Sequence, residues 1–133
     1  LFNGDLDVDD LPTAWNSMFK SWFGIDVPED RLGCLQDIHW SMGAFGYFPT
    51  YTLGNLYAAQ LLEAMAQDLG DVDDMVASGD WEPMLAWLRP RIHQRGSQVS
   101  PAQLIEDATG SPPSPEPFLR YVERKYGALY QLS

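Results

Sequence analysis

The sequence is poor in the residues that build most enzyme centres. Its 133 residues include one cysteine, Cys34, and two histidines, His39 and His93. A single thiol excludes an internal disulfide, and a reducing, intracellular, cytoplasmic setting follows as the default. The two histidines are too far apart for H-E-x-x-H, which places two imidazoles one helical turn apart on one face. Asp37 and His39 could share an ion, but a catalytic zinc needs about three protein ligands, so no metal is expected on this chain. Basic residues are scarce too: 8 Lys and Arg stand against 19 Asp and Glu, a net charge of −11. Nucleic-acid binders need cations to neutralise phosphates, so that class is excluded, and anionic membrane surfaces are disfavoured on the same ground. No apolar run approaches 18 residues, and no signal-peptide pattern is present. Phosphate-loop and G-x-S-x-G motifs are also missing, as are internal repeats and segments that alternate with period 2.

Aromatic residues are abundant, with five Trp, six Tyr and six Phe, and 45% of the chain is hydrophobic, which suits one ordered domain. Leu11, Ala14, Trp15, Met18, Phe19, Trp22 and Phe23 form one stripe at helical spacing, with Asp10 as cap, Pro12 in the first turn and Gly24 as stop. Residues 33–51, GCLQDIHWSMGAFGYFPTY, hold three glycines and a proline and read as a loop with short helical pieces. From Gly54 the helical pattern resumes, with Leu56, Ala59, Leu62, Met65 and Leu69 on its buried face. A short helix is predicted over 71–77. Asp80 is then expected to cap a helix over 81–94 that buries Trp81, Met84, Leu85, Leu88 and Ile92 and is kinked or split by Pro90. Ser100-Pro101-Ala102-Gln103 reads as a capping box, with Gly110 as terminator. A proline-rich loop leads to a last helix over 117–130, expected to bury Phe118, Leu119, Val122, Tyr126, Leu129 and Tyr130. The fold class is all-α, five or six helices in one segment spanning 1–133. Because Leu1 opens on what looks like mid-protein sequence, a fragment or processed product of a longer protein is expected.

Few side chains offer chemistry. Cys34 has acids for neighbours, which suits a small buried thiol better than a nucleophile. His93 lies among Arg89, Arg91 and Arg95, which read as solvated cations at a helix C-terminus or, alternatively, as an anion contact. Asp5, Asp7, Asp9 and Asp10 lack the glycine and glutamate of a calcium loop and read as a solvated turn. In the 33–51 stretch, a histidine flanked by Asp37 and Trp40 can be held in one tautomer, and tyrosine hydroxyls can donate to developing negative charge. The residues alone favour satisfied core groups there, because the loop has no nucleophile or metal to serve.

Gly33-Cys34-Leu35-Gln36-Asp37-Ile38-His39-Trp40 fits G-x-x-Q-D-x-H-W. Ser41, Gly43, Phe45-Gly46-Tyr47-Phe48-Pro49-Thr50-Tyr51, Leu53-Gly54 and Ala58-Ala59-Gln60 follow. This resembles the carboxypeptidase Taq family of zinc metallocarboxypeptidases, and the likeness extends along the chain from Leu11-Pro12 to Tyr130. The resemblance implies an all-helical, gluzincin-like (neurolysin-like) peptidase that removes single residues from peptide C-termini. Its zinc ligands and general base lie in H-E-x-x-H and a downstream Glu, which together with an I-R-x-x-A-D motif precede the region present here. The chain is then the C-terminal part of the enzyme, with 33–51 as an active-site loop and the missing N-terminal part and a peptide as partners; the family also suggests a homodimer. By the same resemblance, His39 and Tyr47, with Tyr51 as second choice, face the zinc cleft and donate to the substrate carbonyl, while Gln36 and Asp37 orient the loop and His39. Alone, the chain is expected to bind no zinc and cleave no peptide. The alternative is a helical interaction or structural domain that does no chemistry.

Overall fold

Proline at helix starts and glycine at helix ends set most of the element boundaries. The computed structural model describes residues 1–132. It contains six α-helices of seven or more residues and no strand among the described residues: α1 (Leu11–Phe23), α2 (Pro49–Leu69), α3 (Val72–Ser78), α4 (Glu82–Leu88), α5 (Pro101–Thr109) and α6 (Glu116–Val122), followed by a last turn α7 (Ala128–Tyr130). The all-α class and the number of helices agree with the sequence reading. The chain divides into two compact units, one from Leu1 to Tyr47 and one from Phe48 onward.

In the first unit, Pro12 sits in the first turn of α1, and Gly24, at φ 69°, ends the helix by donating its N–H to the Lys20 carbonyl at 2.9 Å. Asp10 makes no side-chain cap. A 3₁₀ turn over Val8–Asp10 runs straight into α1, so Asp10 already has helical dihedrals and its carboxylate is not turned back on the helix.

In the second unit, α2 is the spine against which α3, α4, α5 and α6 pack. It begins at Pro49, five residues before the glycine where the apolar pattern resumes, because proline at the start of a helix has φ preset and no N–H to satisfy. Residues 49–51 of the predicted loop are therefore helical. Met65, Val72 and Trp87 form the centre of the core, with Leu61, Leu62, Leu69, Met84 and Leu88 packed around it.

The α4 face differs from the sequence reading. Trp81, not Asp80, precedes the helix, and Trp81 is 50% exposed whereas Trp87 is 4% exposed. The inward stripe is 84, 87 and 88, and the buried indole N–H finds a partner: Trp87 Nε1 donates to Asp68 Oδ2 at 2.7 Å. Arg91 lies over the Trp87 ring at 4.5 Å and donates to the same carboxylate at 3.1 Å. Pro90 splits the helix as expected, with a π turn over Arg89–His93 that widens the backbone where the proline ring would meet a carbonyl.

Ser100 Oγ accepts the Gln103 N–H at 3.3 Å, which is half of the expected capping box. The other half is diverted, because the Gln103 amide donates to Asp107 at 2.8 Å instead of reaching back. The last helix is broken by a second π turn over Glu123–Gly127. One extra residue per turn rotates the next stretch of helix by about 100°. Phe118 and Val122 are half-buried, whereas Leu119, Tyr126, Leu129 and Tyr130, expected inside, are exposed.

Gln60 is the buried polar side chain of α2. Its amide nitrogen lies 3.1 Å from Thr109 Oγ1 and from the Ser111 and Pro112 carbonyls, and its oxygen accepts the Ser114 N–H at 3.0 Å. The proline-rich segment is thereby tied to α2 and α5. Gln60→Leu leaves these groups without their partner and should cost about 2–3 kcal/mol, read from denaturant unfolding. A pH effect follows from Asp107. Hydrogen bonds from Gln103 and Arg95 hold its carboxyl below the usual aspartate range. With the folded value depressed, the stabilisation is present above the ordinary aspartate value and lost as pH falls through the lowered one. Asp107→Asn should lower the melting temperature at neutral pH and leave it unchanged in strong acid.

Candidate functional site

Gly33 begins the loop and lies against α1. A Cβ there would sit 2.7 Å from Val27 Cγ1 and 3.3 Å from both Trp15 Cδ1 and Asn16 Oδ1, so the close approach requires glycine. Hydrogen-bonded turns then carry the chain. Leu35 N–H donates to the Asp30 carbonyl at 2.9 Å and Gln36 N–H to the Gly33 carbonyl at 3.1 Å. A 3₁₀ turn over Trp40–Met42 comes next, with His39 at its start, and Ala44 N–H returns to the His39 carbonyl at 2.9 Å. Gly43 and Gly46, at φ 72° and 74°, supply the left-handed steps that reverse the chain.

Aromatic rings hold this path. Trp40 meets Trp15 of α1 edge-on, with centroids 6.2 Å apart, and stacks on Phe45 at 6.0 Å; Phe2 closes on Phe45 edge-on at 5.1 Å. Sequence reasoning placed Trp40 in the motif but assigned Trp15 to a helix core and gave Phe2 no role. Contacts between residues so far apart in the chain leave no periodic signal in the sequence.

On this frame, Asp37, His39 and Tyr47 come together. Asp37 Oδ1 is hydrogen-bonded to His39 Nδ1. The His39 ring lies 5.1 Å from the Tyr47 ring, tilted by 31°. His39 is half-buried, whereas Asp37 and Tyr47 reach solvent. The carboxylate on Nδ1 holds the imidazole in one orientation. The Gln36 side chain is exposed, and it is its backbone N–H that bonds within the loop. Tyr51 belongs to the second unit, on the first turn of α2, with its ring 6.3 Å from that of Phe48. Cys34 is buried.

The donor set does not fit a resident metal. Among the described residues no three His, Cys, Asp or Glu side chains converge. In the Asp37–His39 pair, the carboxylate is engaged with the imidazole. The arginines around His93 bond acids of this chain, Arg89 to Glu82 at 2.8 Å, Arg91 to Asp68 at 3.1 Å and Arg95 to Asp107 at 2.5 Å. No helix of the described residues is long and apolar enough to cross a membrane.

The sequence model of the carboxypeptidase Taq (M32) metallopeptidases matches residues 1–126. The chain belongs to this family. It is 48% identical over 130 residues to thermostable carboxypeptidase 1 of Thermus thermophilus, a match covering 98% of this chain and 26% of that protein. Carboxypeptidase 1 of Bacillus subtilis is 39% identical over 132 residues, covering 99% and 26%. Among solved structures, the M32 carboxypeptidase of Deinococcus radiodurans superposes with a TM-score of 0.93 at 36% identity, over 98% of this chain and 26% of that one. Trypanosoma cruzi metallocarboxypeptidase 1 gives a TM-score of 0.89 at 42% identity, over 93% and 26%. The chain thus spans about a quarter of the length of its M32 relatives. The family implies a metal cofactor, for which the described residues supply no ligand set.

The close approach at Gly33 can be tested directly. Gly33→Ala should destabilise the protein by about 1–3 kcal/mol, because Val27 or the loop must shift. Gly54→Ala, whose Cβ meets nothing within 4 Å, should be neutral or slightly stabilising in its helix. Thermal melts of the two variants side by side check both.

Proposed function

We propose that this chain is the C-terminal portion of a zinc-dependent metallocarboxypeptidase that removes single residues from peptide C-termini, and that its 33–51 stretch supplies one wall of the catalytic cleft. The observation that carries this reading is the Asp37–His39–Tyr47 cluster, held by an aromatic frame in a chain of M32 sequence. His39 and Tyr47 donate to the scissile carbonyl oxygen as it becomes tetrahedral, in the manner of oxyanion donors. Asp37 and Gln36 are positioning residues, and Tyr51 is the second choice for the tyrosine donor. Zinc, its ligands and the general base are assigned to the part of the enzyme outside this chain. So is a cation for the substrate's terminal carboxylate, since the arginines near His93 already bond acids. The whole enzyme is read as a cytoplasmic homodimer.

The test is kinetic. In the full-length enzyme, His39→Ala and Tyr47→Phe should each lower kcat by about 10²–10³, with KM moved only a few-fold, because the contact strengthens in the transition state. A change confined to KM would replace this role with ground-state binding. The isolated chain should hydrolyse no peptide, and one tightly held zinc per isolated chain would overturn the assignment of ligands to the missing part.

A further inference from the structure

The apolar stripe of α1 has two ends with different surroundings. At its N-terminal end, Trp15 takes the close approach of Gly33 and the edge of Trp40, so this end is the support of the His39 loop. Its C-terminal end runs into solvent: Met18 is 51% exposed, Trp22 69% and Phe23 60%, and Ile25, just past the helix, is 59% exposed. These rings are already assembled, with Phe19 and Phe23 centroids 4.8 Å apart and Trp22 and Phe23 6.5 Å apart. The helix end beneath them is fixed by the Gly24 N–H bond to the Lys20 carbonyl and by the Lys20–Asp26 pair at 2.6 Å.

Four side chains of this size present on the order of 500 Å² of mostly apolar surface, near the upper end of what a soluble monomer leaves open. The unit that carries them has little core of its own. From Leu1 to Tyr47, Cys34 is the one buried apolar side chain among the described residues. So few buried groups do not stabilise a segment of this length by themselves.

We infer that the exposed end of α1 is the seat of the remainder of the same polypeptide, and that docking there fixes the His39 loop. The inference rests on the reading of this chain as one part of a longer metallocarboxypeptidase. The occupant follows from length and area. This chain covers 26% of its Thermus relative, so most of such a protein lies outside it. A second copy fits poorly, because a stable dimer buries about 800 Å² per partner, more than this patch offers. A segment joined through the backbone is held at millimolar effective concentration and needs less area. Trp15 and Trp22 lie two turns apart on one helix, so a partner that clamps Trp22 also fixes the axis on which Gly33 and Trp40 rest.

Oxidative labelling of tryptophan and amide hydrogen exchange test this without reference to hydrolysis, so an inactive enzyme does not decide the outcome. In the full-length enzyme, Trp22 should be labelled at least tenfold more slowly than in the isolated chain, and the amides of residues 33–47 should exchange at least tenfold more slowly. Trp22→Asp in the full-length enzyme should restore fast exchange in 33–47, while Trp22→Phe should not. The unsubstituted protein still reads the docking if the aspartate variant fails to fold. Equal labelling of Trp22 in the two proteins would overturn the docking. Protection of Trp22 with exchange in 33–47 unaffected by Trp22→Asp would overturn the coupling. A concentration-dependent dimer of the isolated chain that shields Trp22 would assign the face to a second copy instead.

Discussion

Val27 and Trp15 occupy the space that a side chain at position 33 would need. The glycine there lets the backbone lie on α1, and Trp40 rests on the same helix through Trp15. With the chain pinned at 33 and 40 and reversed at Gly43 and Gly46, His39 has little choice of direction. Its ring is then set by Asp37 on one side and Tyr47 on another. The geometry of the Asp37–His39–Tyr47 cluster thus depends on a packing constraint made at Gly33, Trp15 and Trp40.

Charge in the second unit follows a similar economy. Three arginines of this acidic protein, Arg91, Arg95 and Arg120, tie different helices or turns together. Arg91 joins α2 to the turn after α4, and Arg120 holds Glu63 of α2 through a forked pair at 2.8–3.2 Å, which raises its own proton affinity. Each exposed pair contributes little by itself. Each pair is neutral overall, so the net charge of −11 read from composition stays on the acids that have no basic partner.

The helices were legible because proline, glycine and apolar spacing are local signals. α1, the split at Pro90 and the Ser100 start of α5 all follow from residues within one or two turns of each other. The errors are tertiary. Trp87 rather than Trp81 is buried because Asp68, on another helix, offers its indole a partner. Beyond Val122 the inward face of the last helix departs from the expected one because a π turn shifts the phase that a 3.6-residue pattern assumes. At the candidate site, the residues alone favoured core groups for His39 and the tyrosines, and the motif gained meaning only through its likeness to a known family. The short-range Asp37–His39 pair could be anticipated from their spacing. The support from Trp15 and Phe2 could not, since it joins segments far apart in the chain.

The Gln60 amide has a consequence for how the second unit folds. Its bonds join positions 49 to 54 residues apart, to the end of α5 and the proline-rich segment after it. Contacts of such separation form only after the intervening chain has closed, and the entropy of that closure opposes them until they form together. α3, α4 and α5 lie inside the closed loop. Through one side chain, the end of α5 and the proline-rich segment are coupled to α2 across the whole of this closure.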